Sequence, residues 1–130
     1  MKAKSLLLAV AALTPLCARA QAVSIEDRTL SYGCGDTVVV GRIKNGDYTP
    51  VQDDEDIIGH GWIDAHIRVK RHLKGVKVPT WLPIRYYAHT HIRDDRDFMF
   101  VLSGNGSDGF EIKHAQLMSV RPIIPAECER

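Results

Sequence analysis

The chain reads as an all-β protein, a small barrel of five short strands with one disulfide near its ends. Three observations carry that expectation. Residues 62–70 alternate, with Ile63, Ala65, Ile67 and Val69 on one side and Trp62, Asp64, His66, Arg68 and Lys70 on the other. Such alternation describes an antiparallel strand with a core face and a wet face. Four further segments rich in β-branched or aromatic residues are separated by Gly, Pro and Asn turn signals, and no long helical period interrupts them. Two cysteines, Cys34 and Cys128, bracket all five segments.

The first twenty residues bear on compartment. Lys2 and Lys4 precede the apolar run Leu6–Leu13, and Ala18-Arg19-Ala20 places small residues where a signal peptidase cuts, before Gln21. The run is shorter than the ~20 residues a spanning helix needs, so the expectation is a signal peptide (1–20), no transmembrane segment and an exported protein, periplasmic or secreted. What remains is 110 residues, enough for one domain. Loss of Lys2, Lys4 and Arg19 leaves 14 basic against 16 acidic side chains. A chain without surplus cations is a poor partner for nucleic acid or anionic membranes. Cys17 departs with the signal, and Pro15-Leu16 before it do not make a lipoprotein site. Cys34 and Cys128 then allow one pairing in an oxidising compartment, and they lack the C-x-x-C spacing of a redox pair.

Residues 21–33 form a polar lead-in, ordered around Leu30 and Tyr32, and residues 34–128 form the domain. The β-branched run Asp36–Ile43 predicts a first strand, with Gly41 marking a bulge or a close backbone approach. Lys44-Asn45-Gly46-Asp47 predicts a turn, followed by a long connection from Tyr48 to Gly61. The alternating second strand closes at Leu73-Lys74-Gly75. The third runs from Leu82 to Ala88 with Leu82, Ile84 and Tyr86 inward, and Pro79 and Pro83 suit an edge or a bulged start. After a polar connection, Asp97–Leu102 is continuously apolar and predicts a central strand. Ser103–Gly109 is a hairpin loop, and Phe110–His114 returns as the fifth strand. His114–Val120 either extends it or makes a helical turn, and Pro122 and Pro125 extend the tail to Cys128. Five strands are economically closed into a barrel, whereas a sandwich wants about seven.

Several of these segments resemble the netrin-module and tissue-inhibitor-of-metalloproteinase-like group. Cys34–Ile43 resembles that group's cysteine and first strand, and Ala65–Gly75 its second strand ending in a leucine-lysine-glycine turn. Arg96–Leu102 resembles the fourth strand and Cys128 the closing cysteine. The resemblance spans residues 34–128 and implies an OB-like Greek-key barrel. Protease inhibition does not come with it, because the expected first residue is Gln21 rather than a zinc-chelating cysteine. Fold and function are separable in any case.

Candidate sites are few. In His89-Thr90-His91, a continuing strand would put both imidazoles on one face, a spacing suited to Zn²⁺ or Cu²⁺ with a third ligand from Asp94, Asp95, His60 or His114. The plainer alternative is a pair of exposed loop histidines. Asp53-Asp54-Glu55-Asp56 lacks the spacing of a calcium loop and reads as a solvated acidic segment. Arg93–Asp97 reads as surface ion pairs at a strand entrance. Asn105-Gly106-Ser107 matches a glycosylation sequon. No serine lies in a nucleophile motif and both cysteines are paired, so no catalytic residue and no resident cofactor is expected. The outward residues Trp62, His66, Arg68 and Lys70 predict a recognition face, extended by Trp81, Arg85 and Tyr87 if these share it, unless Trp62 folds back over the barrel end. The functional expectation is a non-enzymatic exported domain that binds an envelope protein or another envelope component. The alternative is a small metal- or ligand-binding protein using His89 and His91.

Overall fold

Alternation of apolar and polar residues curls this chain into a closed sheet. The computed structural model describes residues 24–104 and 109–130, so the expected signal peptide and the Asn105 sequon lie outside the described residues. The strands are β1 (Thr37–Pro50), β2 (Gly61–Lys74), β3 (Trp81–Ala88), β4 (Phe98–Ser103) and β5 (Phe110–Leu117). They close in the order β1-β2-β3-β5-β4, with β4 returning to β1. All pairings are antiparallel except β3–β5, which is parallel and limited to Ile84↔Phe110 and Arg85↔Glu111. The result is a small five-stranded OB-like Greek-key barrel. No helix among the described residues is long and apolar enough to cross a membrane.

The inward side chains of all five strands fill the barrel: Val39, Ile43, Ile63, Ala65, Ile67, Leu82, Ile84, Tyr86, Phe100, Leu102 and Phe110. Leu82, Ile84 and Tyr86 are the inward set expected for β3. A second apolar layer lies outside the barrel. Val38 and Val40 of β1 and Met99 and Val101 of β4 pack there against Leu30 and Tyr32 of the lead-in and Ile124 of the tail. Both faces of the first five residues of β1 (Thr37–Gly41) and of β4 are therefore covered, which is why those segments read as nearly unbroken apolar runs.

Lead-in and tail are tied together at several points. Leu30 N–H donates to Ile123 O (2.9 Å), Ile123 N–H to Arg28 O (2.9 Å) and Glu129 N–H to Tyr32 O (2.9 Å). Cys34 and Cys128 form the disulfide, with Cα atoms 4.9 Å apart. One helical turn, α1 (Ile25–Arg28), opens the lead-in behind a capping box of Ser24 and Asp27.

The structure corrects three local expectations. Lys44–Asp47 does not turn: β1 continues to Pro50, and the β1–β2 register shifts between Asn45 and Tyr48. The Asn-Gly-Asp segment is a bulge because tertiary bonds outweigh local turn propensity. Asn45 Nδ2 donates to Ile92 O (2.8 Å) and its Oδ1 accepts from the Tyr86 hydroxyl (2.7 Å). A Cβ at Gly46 would lie 2.8 Å from Asp64 O, so only glycine permits this approach. The connection is accordingly shorter, residues 51–60. β5 runs on to Leu117, and a 3₁₀ turn (Met118–Val120) follows, so both alternatives for His114–Val120 occur in succession. Gly41 lies at a register shift, where a Cβ would stand 2.5 Å from Arg68 O.

The third correction concerns the histidines. β3 ends at Ala88, so His89 and His91 do not share a strand face. The chain bends because Ile92 packs against the barrel core and its N–H donates to the Tyr86 hydroxyl (3.0 Å).

Candidate binding face

Strand register decides which outward side chains become neighbours. In β2 and β3 the pairs are Trp62↔Tyr87, Asp64↔Arg85, His66↔Pro83 and Arg68↔Trp81. β1 adds Arg42 beside Arg68 and Lys44 beside His66. The outward parity of all three strands coincides, so Trp81, Arg85 and Tyr87 do extend the face of Trp62, His66, Arg68 and Lys70. Trp62 is half-buried on this outer face and does not fold into the barrel.

The two ends of the face differ in character. At one end, the Arg85 guanidinium lies 4.6 Å from the Trp62 ring centre and its Nε is 3.7 Å from Asp64. The Tyr87 ring packs against the Trp62 ring, tilted, with centres 5.3 Å apart. His60 stacks on Tyr87 at 5.4 Å, and His89 meets His60 edge-on at 5.2 Å. His60 Nδ1 is held 2.7 Å from Asp56 Oδ2. The same carboxylate accepts the His60 backbone N–H (2.6 Å), which, with the His60 ring and Gly59 N–H, holds its pKa down at about 2 against burial. Burial first, then the Asp56 and Asp53 carboxylates, push the Tyr87 hydroxyl up.

At the other end, Trp81 is 53% exposed opposite Arg68. A shallow depression there is lined by Arg42, Ile43, Lys44, Arg68, Trp81 and Asp94. Arg42 and Lys70 both bind Asp97, at 3.0 and 2.7 Å. Those two bonds, Lys70 foremost, hold the Asp97 carboxyl below its usual range. Lys44 and Arg68 have no ion pair among the described residues. Trp81 beside Lys44 and Arg68 joins residue types common in recognition surfaces.

The remaining expected residues disperse. Asp95 pairs with Arg93 (2.6 Å) and Arg96 (3.6 Å), as surface ion pairs do. His114 lies on β5 beside Thr29 and Tyr32, by the lead-in. Among the described residues no three His, Cys, Asp or Glu side chains converge as a metal-binding group. The histidine that does meet His89 is His60, and its place depends on the path of the 51–60 loop. The i, i+4 spacing of Asp56 and His60 is the sole local hint of it. Comparisons of the chain with protein families, with curated proteins and with solved structures find no match.

Proposed function

We propose that this is an exported, non-enzymatic binding domain of the bacterial envelope, engaging a protein or another envelope component through the outer face of β2 and β3. Half-exposed Trp81 opposite Arg68 carries the proposal. Tryptophan and arginine dominate binding hot spots, and OB barrels tend to bind on the face of strands two and three. The likeness to netrin and metalloproteinase-inhibitor modules belongs to the same proposal, supported by the barrel and its closing disulfide. The test is cross-linking of the tagged protein in its own envelope, followed by mass spectrometry. Trp81→Ala with Arg68→Ala is expected to abolish a reproducible cross-link. Undiminished recovery of the partner by that folded variant would remove the face from consideration.

Metal binding is the second proposal, with His60 in place of His91 beside His89. Two imidazoles on one tetrahedral Zn²⁺, at ~2.0–2.1 Å per bond, stand with ring centres about 5 Å apart. The His60–His89 separation is 5.2 Å, and Asp56 orients the His60 ring as a second-sphere carboxylate would. Zn²⁺ or Cu²⁺ titration should then be lost in His60→Ala and retained in His91→Ala; the reverse result, or no binding by the parent protein, would dismiss this pair.

A further inference from the structure

The 51–60 loop holds two isoleucines out in water, and it does so with a built framework. Ile57 is 98% and Ile58 68% exposed. The Asp56 carboxylate accepts the N–H groups of Ile58 (3.1 Å), Gly59 (3.0 Å) and His60 (2.6 Å). The Tyr48 hydroxyl donates to Gly59 O (3.1 Å), and Val51 N–H donates to His60 O (3.2 Å). A loop so fixed does not expose apolar side chains through slackness. Exposed Asp53, Asp54 and Glu55 precede the isoleucines, giving an apolar tip with an acidic flank.

This tip stands at the Trp62–Tyr87 end of the outer face, because His60 stacks on Tyr87. The opposite end carries Arg42, Lys44, Arg68 and Lys70 around Trp81, with Asp97 offsetting Arg42 and Lys70. Arg68 lies six steps along β2 from Trp62, about 20 Å at ~3.3 Å per residue. One face thus carries an acidic, aliphatic loop tip beside the Trp62, Tyr87 and His60 rings at one end, where Arg85 faces Asp64, and four cations around Trp81 at the other. The two ends are too far apart to satisfy each other within one chain.

Resting on the assignment of β2 and β3 as a binding face, we infer that the occupant of this face is a second copy of the same chain, in a two-fold dimer. A two-fold axis lying in the face and crossing the strands near His66 sets each acidic tip on its partner's basic end, twice over. The opposite stacking sets like charges together, so the charge polarity selects one orientation. Closed two-fold contacts are the commonest arrangement for such self-complementary patches. A face about three strands wide is at the small end of stable interfaces, so the dimer should come apart on dilution.

The test is sedimentation velocity of the exported, disulfide-bonded protein across concentration at low salt. A monomer–dimer equilibrium is expected, with the midpoint weakening about tenfold between roughly 20 mM and 500 mM salt. Lys44→Glu with Arg68→Glu should give monomer only, and so should Asp53→Lys with Asp54→Lys. An equimolar mixture of these two proteins should sediment as a dimer again, since one contact then keeps its original signs and the other is restored with the signs exchanged. Both pairs of substitutions are at exposed positions, and circular dichroism checks that each protein is folded. Monomer at every concentration, open-ended assemblies, or no rescue on mixing would overturn the dimer. A monomer that still loses its envelope cross-link in Trp81→Ala with Arg68→Ala would overturn self-pairing alone and leave the binding face standing.

Discussion

Replacing Cys34 and Cys128 together by alanine should remove more stability than any other pair of surface-layer substitutions. The bridge closes a sequence separation of 94 residues. The chain-entropy relation assigns a loop of that length about 4–5 kcal/mol at 25 °C, through the unfolded ensemble it restrains. Little of this is returned on the folded side. Cys34 is exposed and Cys128 half-buried against the Leu30–Tyr32 layer, so alanine leaves only a small gap. The bonds flanking the bridge, Cys34 N–H to Glu129 O (3.1 Å) and Glu129 N–H to Tyr32 O (2.9 Å), involve backbone alone and survive the change. Domains of this size are stable by ~5–15 kcal/mol, so the loss is a large share of the total. Urea unfolding followed by the fluorescence of Trp62 and Trp81 measures it, and the denaturant slope should rise as the unfolded chain expands. A folded double variant that loses under ~1 kcal/mol, with an unchanged slope, would refute the claim that the bridge works on the unfolded chain.

Two further outcomes follow from the loops. Tyr86→Phe should cost about 1–3 kcal/mol, because the Ile92 N–H and the Asn45 side-chain Oδ1 lose their shared partner in a half-buried setting; urea unfolding reads the loss, and unchanged exchange of the Ile92 amide would contradict the account of the bend after β3. The 51–60 loop should respond to acid through Asp56. Its carboxyl is lowered from 3.8 to about 2, so the ionised form is favoured by folding. That contribution is fully present above pH 3.8 and is lost as pH falls through about 2. Amide exchange at Ile58, Gly59 and His60 should therefore stay slow at pH 4 and, after correction for intrinsic rates, quicken toward pH 2. Asp56→Asn should show no such acid step, and a step at the ordinary carboxylate pH in the parent protein would count against the cap.

Period-two patterning made β2 and β3 legible from their side chains, down to the inward set of Leu82, Ile84 and Tyr86. Local composition misled where a distant partner intervened. Asn45-Gly46-Asp47 has turn chemistry, yet Tyr86, Ile92 and the Asp64 backbone draw it into a bulged strand. His89-Thr90-His91 has ligand spacing, yet β3 ends at Ala88 and the chain bends at His89 and Thr90 on its way to Ile92, which packs against the core. The nearly unbroken apolar runs within β1 and β4 announced two covered faces without saying that lead-in and tail supply the second cover.

The sequence by itself determined the strand class, the pairing of the two cysteines and which side chains of β2 and β3 point outward. The first and last follow from alternation along one strand, and the pairing follows from setting Cys17 aside with the expected signal peptide. Only the tertiary structure decided that Arg42 and Lys44 join Arg68 and Trp81, that His60 rather than His91 meets His89, and that the acidic tip stands at the far end of the same face. Those neighbours are set by strand register and barrel closure. Both depend on pairings between residues far apart in the chain, and no local pattern encodes them.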